Sequence, residues 1–246
     1  MREDPSVKLL QIPFSHNSVK VRRVLALKGL DYEREDINPA IRGKLKRVSG
    51  QELTPVLVDG SRVVADSTEI VLYLEQAYPT PPLLPPEDPE RSECLLLEDW
   101  ADTAFMELTR RLAYWTMMSS GVSIGDLFFP RHPKPFRQIG GPIGATVIRR
   151  RFGLSAKQAE EDEVEARRVA KIAVGRLAGR PFLVGDRISV ADVALAAMST
   201  PLQLVPGIRD DPSVAELLEW DRRILEDEFT PPQIRAVTSR AELLVP

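Results

Sequence analysis

Six prolines fall within the twelve residues "PTPPLLPPEDPE", Pro79 to Glu90. Proline lacks the backbone N–H and fixes φ, so this stretch can be neither the interior of a helix nor a central strand. It reads as a stiff linker and cuts the chain into two lengths that fold by different patterns. The expected division is residues 1–78, a linker over 79–90, and residues 91–246.

Ahead of the break, periods of two and of 3.6 alternate. "VKLLQI" (Val7 to Ile12) is a short apolar run closed by Pro13, the length and composition of a strand. Val21, Val24, Leu25 and Leu27 recur at helical spacing, and Gly29 supplies a left-handed stop. "DYEREDI" alternates as a second strand, and "PAIRGKLKRVSG" is a short, imperfect helix or loop. "TPVLVDG" and "SRVVAD" are β-branched runs joined at Asp59-Gly60, a strong hairpin signal. "DSTEIVLYLEQAY" opens on Asp66 with Glu69 three residues on, a capping-box pattern. The order βαβαββα predicts one α/β unit with a parallel pair from the crossover and an antiparallel hairpin at its edge.

Behind the break the chain reads as all-α. Leu97, Trp100, Ala101, Ala104, Phe105, Leu108 and Leu112 keep one apolar stripe. A charged helix follows around "SAKQAEEDEVEARRVAKIAVGRLAG", then one opened by "SVAD" with Ser189 at the N-cap and Asp192 three on, then one from Ala215 to Phe229. Between Gly121 and Phe152 the proline-, glycine- and aromatic-rich "GVSIGDLFFPRHPKPFRQIGGPIGATVIRRRF" interrupts the pattern and is long for a connection. Phe128, Phe129, Pro130, His132, Pro133, Pro135 and Phe136 combine stiff backbone with apolar surface, as a partial lid over a pocket does.

Composition closes off several function classes. Thirty-three basic and 36 acidic residues in mixed order give a net charge of −3, no field for nucleic acid or an anionic membrane. One cysteine, Cys94, permits neither an internal disulfide nor a Cys-x-x-Cys redox or zinc site, and it reads as a small core hydrophobe or a bland surface thiol, not a nucleophile. No metal site is expected. Neither a signal-like start nor a run of about 18 apolar residues is found, and the expected location is the cytoplasm.

Taken in order, Ser15-x-x-Ser18-x-Lys-Val-Arg after the first strand, Thr54-Pro55 before the third, Asp66-Ser67 opening the last helix of the unit, the proline-rich linker and "FLVGDRISVADVALA" resemble the cytosolic glutathione transferase family along nearly the whole chain. The resemblance implies a thioredoxin-like N-terminal domain that binds glutathione as co-substrate and a helical domain that receives a small apolar electrophile. It places Ser15 where serine-type members keep the hydroxyl that bonds the glutathione sulfur. Chemistry agrees: a thiol of pKa about 8.5 is only about 3% thiolate at neutral pH, so a hydroxyl donor and a positive helix end raise the nucleophile's concentration. Ser18 and Asn17 are secondary candidates, and Ser15 or Ser18 could equally cap the helix. His16 reads as a surface side chain in preference to a donor near the thiol, because a lone histidine seldom acts without a placed partner.

By the same resemblance Thr54 precedes a cis Pro55 and offers its backbone to the cysteinyl backbone of glutathione. Ser67 with the helix N–H groups takes the γ-glutamyl carboxylate, Asp66 takes its ammonium, and Lys44 or Arg47 meets the glycyl carboxylate. Tyr114, Trp115, Phe128 and Phe129 are candidates for the electrophile pocket, although aromatic residues in helices are often simply core. The resemblance also implies a homodimer that packs the N-terminal domain of one subunit against the helical domain of the other. The competing expectation is a non-catalytic protein of this fold that carries an apolar ligand or docks a partner.

Overall fold

The structure is a computed structural model that describes residues 7–39, 41–121, 125 and 133–226, with only the backbone at 136 and 137. Its first unit follows the predicted order: β1 (Val7–Gln11), α1 (His16–Leu27), β2 (Glu33–Asp36), α2 (Gly43–Ser49), β3 (Val56–Asp59), β4 (Arg62–Ala65) and α3 (Ser67–Ala77). The sheet runs β2-β1-β3-β4, with β1 parallel to β2 and antiparallel to β3, and β3 antiparallel to β4. Period two sorts the strand residues between two layers. Val7, Leu9 and Leu57 face the core shared with α1 and α3, whereas Leu10 and Val56 face Leu45 of α2 on the other side. The hairpin pairs Asp59 with Arg62, so its two-residue loop is Gly60-Ser61, one position beyond the Asp59-Gly60 junction read from the sequence. Gly60 takes φ 56, which a side chain would resist.

Helices make up the rest of the described chain: α4 (Glu90–Trp100), a π-helical segment Ala101–Phe105, α5 (Met106–Ser119), α6 (Lys134–Arg151), α7 (Ala156–Leu177), α8 (Val190–Ser199), a 3-10 turn Thr200–Leu204, α9 (Pro206–Arg209) and α10 (Pro212–Leu225). Every residue of α8 is buried, the condition of a helix that is apolar all round. Asp192 anchors its start, accepting from Ser189 N at 2.8 Å, Ser189 Oγ at 2.7 Å and Leu183 N at 2.7 Å. The capping box expected at "SVAD" is thus present. One continuous core runs from Val7 and Leu9 of the sheet through α1, α3, α4 and α8 to Ile224 and Leu225 of α10, and Cys94 lies within it.

The passage after Gly121 departs from its sequence reading. From Lys134 it is an 18-residue helix, not an interruption of the bundle, with Pro142 inside it. Pro135 falls in the first turn, where a missing N–H costs nothing. Gly140 and Gly141 precede Pro142, and Ile148 packs with Leu154 against Tyr114 and Trp115, which supplies burial that local propensity does not. Residues 128–132, the centre of the expected lid, lie outside the described residues.

Candidate functional site

Strand register brings the candidate residues to one end of the sheet. Leu10 of β1 pairs with Val56 of β3, which pairs with Ala65 of β4. Beyond that row the three strands leave the sheet together, β1 into Ser15, β3 back into Pro55 and Thr54, β4 into Asp66 and Ser67. The Thr54-Pro55 peptide is cis.

Ser15 is the N-cap residue of α1 by backbone geometry, φ −74 and ψ 127, with its carbonyl accepting from Val19 N at 2.9 Å. Its side chain makes no capping hydrogen bond, and neither does that of Ser18. Plain capping, one of the two readings of these serines, is therefore not what their hydroxyls do. Buried Ser18 Oγ and Asn17 Oδ1 both lack a hydrogen-bond partner. A 12-residue helix thus begins with polar side-chain atoms that the protein leaves unused, next to backbone N–H groups that carry positive potential. His16 is half-buried, not a surface side chain. Burial, reinforced by the Arg110 guanidinium, pushes its pKa down to about 4, so the ring is neutral at pH 7.

At the start of α3, Asp66 sits at φ 83, unusual for a residue with a side chain. Its Oδ1 accepts from Thr68 N at 2.9 Å and from Glu69 N at 3.3 Å, the cap read from the sequence. Ser67 turns inward instead. Its Oγ donates to Asp102 Oδ2 at 3.2 Å and accepts from Lys20 Nζ at 3.5 Å. Lys20, fully buried on α1, also pairs with Glu98 of α4, donates to Thr68 Oγ1 at 3.2 Å and lies 3.5 Å from Asp102 Oδ1. Thr68 Oγ1 in turn donates to Glu98 Oε1 at 2.8 Å. One cation and two carboxylates thereby tie α1 and α3 to the α4 junction, with a surplus negative charge beneath the start of α3. Sequence reading missed this cluster, although Lys20 stands four residues before Val24 and Glu98 four after Cys94, each within an apolar stripe.

Lys44 pairs with Glu35 at the surface, and Arg47 is exposed on α2. Tyr114 faces inward from α5: it and Phe14, the residue ahead of Ser15, both pack against the cluster of Ala113, Met117 and Leu204, and it stacks on Phe152 with ring centroids 5.3 Å apart. Burial raises its phenol pKa, against the guanidiniums of Arg110, Arg42 and Arg151. Trp115, like Phe152, packs against Ile148 and Leu154. Phe128 and Phe129 lie outside the described residues. Among the described residues no cluster of His, Cys, Asp and Glu could hold a metal, and no helix is long and apolar enough to cross a membrane.

Residues 9–82 match the family model described as glutathione S-transferase, N-terminal domain, and residues 136–218 the one described as glutathione S-transferase, C-terminal domain. The chain is similar to glutathione S-transferase Z1 of Arabidopsis thaliana, 45% identical over 71 residues that make up 27% of this chain and 32% of that one. The chain therefore spans about a third of the length of that curated plant relative. It is also similar to a probable maleylacetoacetate isomerase of Caenorhabditis elegans, 24% identical over 181 residues, 72% of this chain and 70% of that one. The crystal structure of rice GST1 in complex with glutathione superposes with a TM-score of 0.70 over 98% of this chain and 97% of that chain at 21% identity, a likeness of fold.

Proposed function

Since the chain belongs to the cytosolic glutathione transferase family, we propose that it is a glutathione transferase, using residues 1–78 to hold the thiol peptide and residues 91–246, across the 79–90 linker, to hold the electrophile. The observation that carries this reading is Ser15, an N-cap serine whose hydroxyl makes no capping bond at the head of a buried helix. In the proposed complex Ser15 Oγ donates to the glutathione sulfur, and the first N–H groups of α1 stabilise the thiolate, lowering the thiol pKa. The thiolate then forms a C–S bond to the electrophilic carbon as that carbon's bond to its leaving group breaks and the leaving group departs with the electron pair. Neutral His16 adds no charge to this pocket.

Binding falls to the other two strand ends. Thr54 offers its main chain to the cysteinyl backbone. At α3, both capping bonds of Asp66 fall on Oδ1, which leaves Oδ2 for the γ-glutamyl ammonium, and the surplus negative charge of the Lys20, Glu98 and Asp102 cluster favours a cation at the same place. The Ser67 N–H at the helix start suits the γ-glutamyl carboxylate. Because the Ser67 side chain serves the buried cluster, its contribution is through the backbone. Asn17 and Ser18 remain close to the thiol as unpaired polar groups, and Lys44 is engaged by Glu35. The assembly is a homodimer in this reading, with Leu96 of α4, 71% exposed, among the residues it would cover.

Calorimetric titration with glutathione, then turnover with a panel of electrophiles, tests the proposal. Micromolar to millimolar binding with measurable conjugation is the expected result. Binding without turnover across the panel would favour the carrier protein of the same fold, and absence of binding would end the reading.

A further inference from the structure

Arginines 110 and 111 are neighbours on α5 with opposite fates. Arg111 is fully engaged: its Nε and Nη2 reach the two oxygens of buried Asp162 at 2.8 and 2.6 Å, a bidentate pair. Arg110 has no such carboxylate. Its guanidinium lies 4.6 Å over the Phe152 ring, its Nη1 contacts only Met106 Sδ at 3.3 Å, and its buried Nε has no partner. Glu107 stands off at 3.9 Å on the exposed side. Arg151, at the end of α6, lies 5.8 Å from the same ring, and Tyr114 stacks on it. Arg42, ahead of α2, spends its donors on the carbonyls of Pro39 and Glu52. Guanidiniums from two elements, Arg110 of α5 and Arg151 of α6, therefore gather at one aromatic pair, and Arg110 has no carboxylate in hydrogen-bond reach among the described residues. A buried donor without an acceptor is destabilising, and an anion brought by a ligand relieves it.

We propose that this wall receives an anionic electrophile: Arg110, assisted by Arg151, binds a carboxylate carried by the substrate while the Tyr114 and Phe152 rings hold its planar body. The inference rests on the proposed function in placing the electrophile here, and it replaces the purely apolar substrate expected from the sequence. The placement has support in the packing of Tyr114 and of Phe14, next to Ser15, against one shared cluster of Ala113, Met117 and Leu204, and in the influence of Arg110 on His16. Because Arg110 engages the substrate and not the sulfur, it is a specificity residue and takes no part in activating the thiol.

A matched pair of electrophiles reads it out: 1-chloro-2,4-dinitrobenzene and 4-chloro-3,5-dinitrobenzoate. In each, the glutathione thiolate forms a C–S bond as the C–Cl bond breaks and chloride leaves. Arg110→Gln is expected to lower the ratio of kcat/KM for the carboxylate substrate to that for the neutral one at least tenfold, mainly through KM, with Arg110→Lys restoring part of it. An unchanged ratio would overturn the proposal. So would a rise in the glutathione KM as the main effect, since the anion would then be the glycyl carboxylate of glutathione. A second measurement needs no thiol: unreactive 3,5-dinitrobenzoate should bind the whole protein at least tenfold more tightly than 1,3-dinitrobenzene, and Arg110→Gln should remove the difference. Loss of turnover with that difference intact would sink the transferase reading and spare this one; equal binding of the two compounds sinks this one.

Discussion

Two polar clusters flank the proposed thiol site, and they differ in whether their charges are answered from within. Around Lys20 the cation meets both carboxylates inside the fold and two hydroxyls bridge them, leaving one negative charge in surplus and Asp102 Oδ1 without a hydrogen bond. Around Arg110 the guanidiniums meet aromatic faces and a thioether, and a donor is left over. The first arrangement holds three helices in place. The second is complete only with an anion from outside. Charged residues at the core of a protein thus divide by what they still lack.

The comparison breaks most visibly at Lys20. Lys20→Met leaves buried Glu98 and half-buried Asp102 without their cation, and urea unfolding should show a loss of about 3–5 kcal/mol. Adding Glu98→Gln should return part of that loss, because one stranded charge goes with it. Arg111→Gln comes next. It strands Asp162, which keeps only Gln158 Nε2 at 3.0 Å, and about 2–3 kcal/mol of stability should go. If Arg110→Gln costs as much as Arg111→Gln in the same unfolding measurement, the contrast between the two arginines is wrong.

Ser15→Ala tests the site between the clusters. Turnover at pH 6.5 should fall roughly ten- to a hundred-fold, below the full range for a dry oxyanion site because solvent reaches this one. The kinetic pKa of the bound thiol should rise by about a unit, with the glutathione KM little changed. Ser18→Ala should scarcely affect stability, because the Ser18 hydroxyl makes no cap to lose.

The smallest effect belongs to Asp221, buried on α10 with Ser199 Oγ donating to it at 2.6 Å. Burial raises its pKa well above the ordinary 3.8. A carboxyl raised in the folded state binds its proton more tightly there than in the unfolded chain. Its stabilising contribution is whole below about pH 3.8 and is lost as pH rises through the raised folded value. Unfolding midpoints followed upward from pH 4 should therefore decline less steeply in Asp221→Asn than in the wild type.

Legibility in the sequence followed the same division. The hairpin, the Gly29 stop and the Ser189 and Asp192 box are local signals, and each appears where backbone chemistry requires it. Helix α6 was hidden because Gly140, Gly141 and Pro142 disfavour a helix locally while packing of Ile148 favours it, and packing wins. At the site, the Ser15, Thr54 and Asp66 turns could be read from motif order, yet the inward turn of Ser67 could not. Lys20, Glu98, Asp102 and Arg110 were passed over because charged residues in a helix usually face water. Only the tertiary fold shows which of them are answered.

The π-helical segment Ala101–Phe105 lies where α4 becomes α5; it contains Asp102 of the Lys20 cluster and runs ahead of Arg110. A π turn accommodates about one residue more than an α turn, and one residue is worth roughly 100° of rotation about a helix axis. The segment therefore sets the phase of everything that follows on α5. Shortening it by one residue would leave the sequence of α5 untouched and turn Arg110 and Tyr114 about a quarter of the way round the axis, exchanging the wall of the pocket for a different set of side chains.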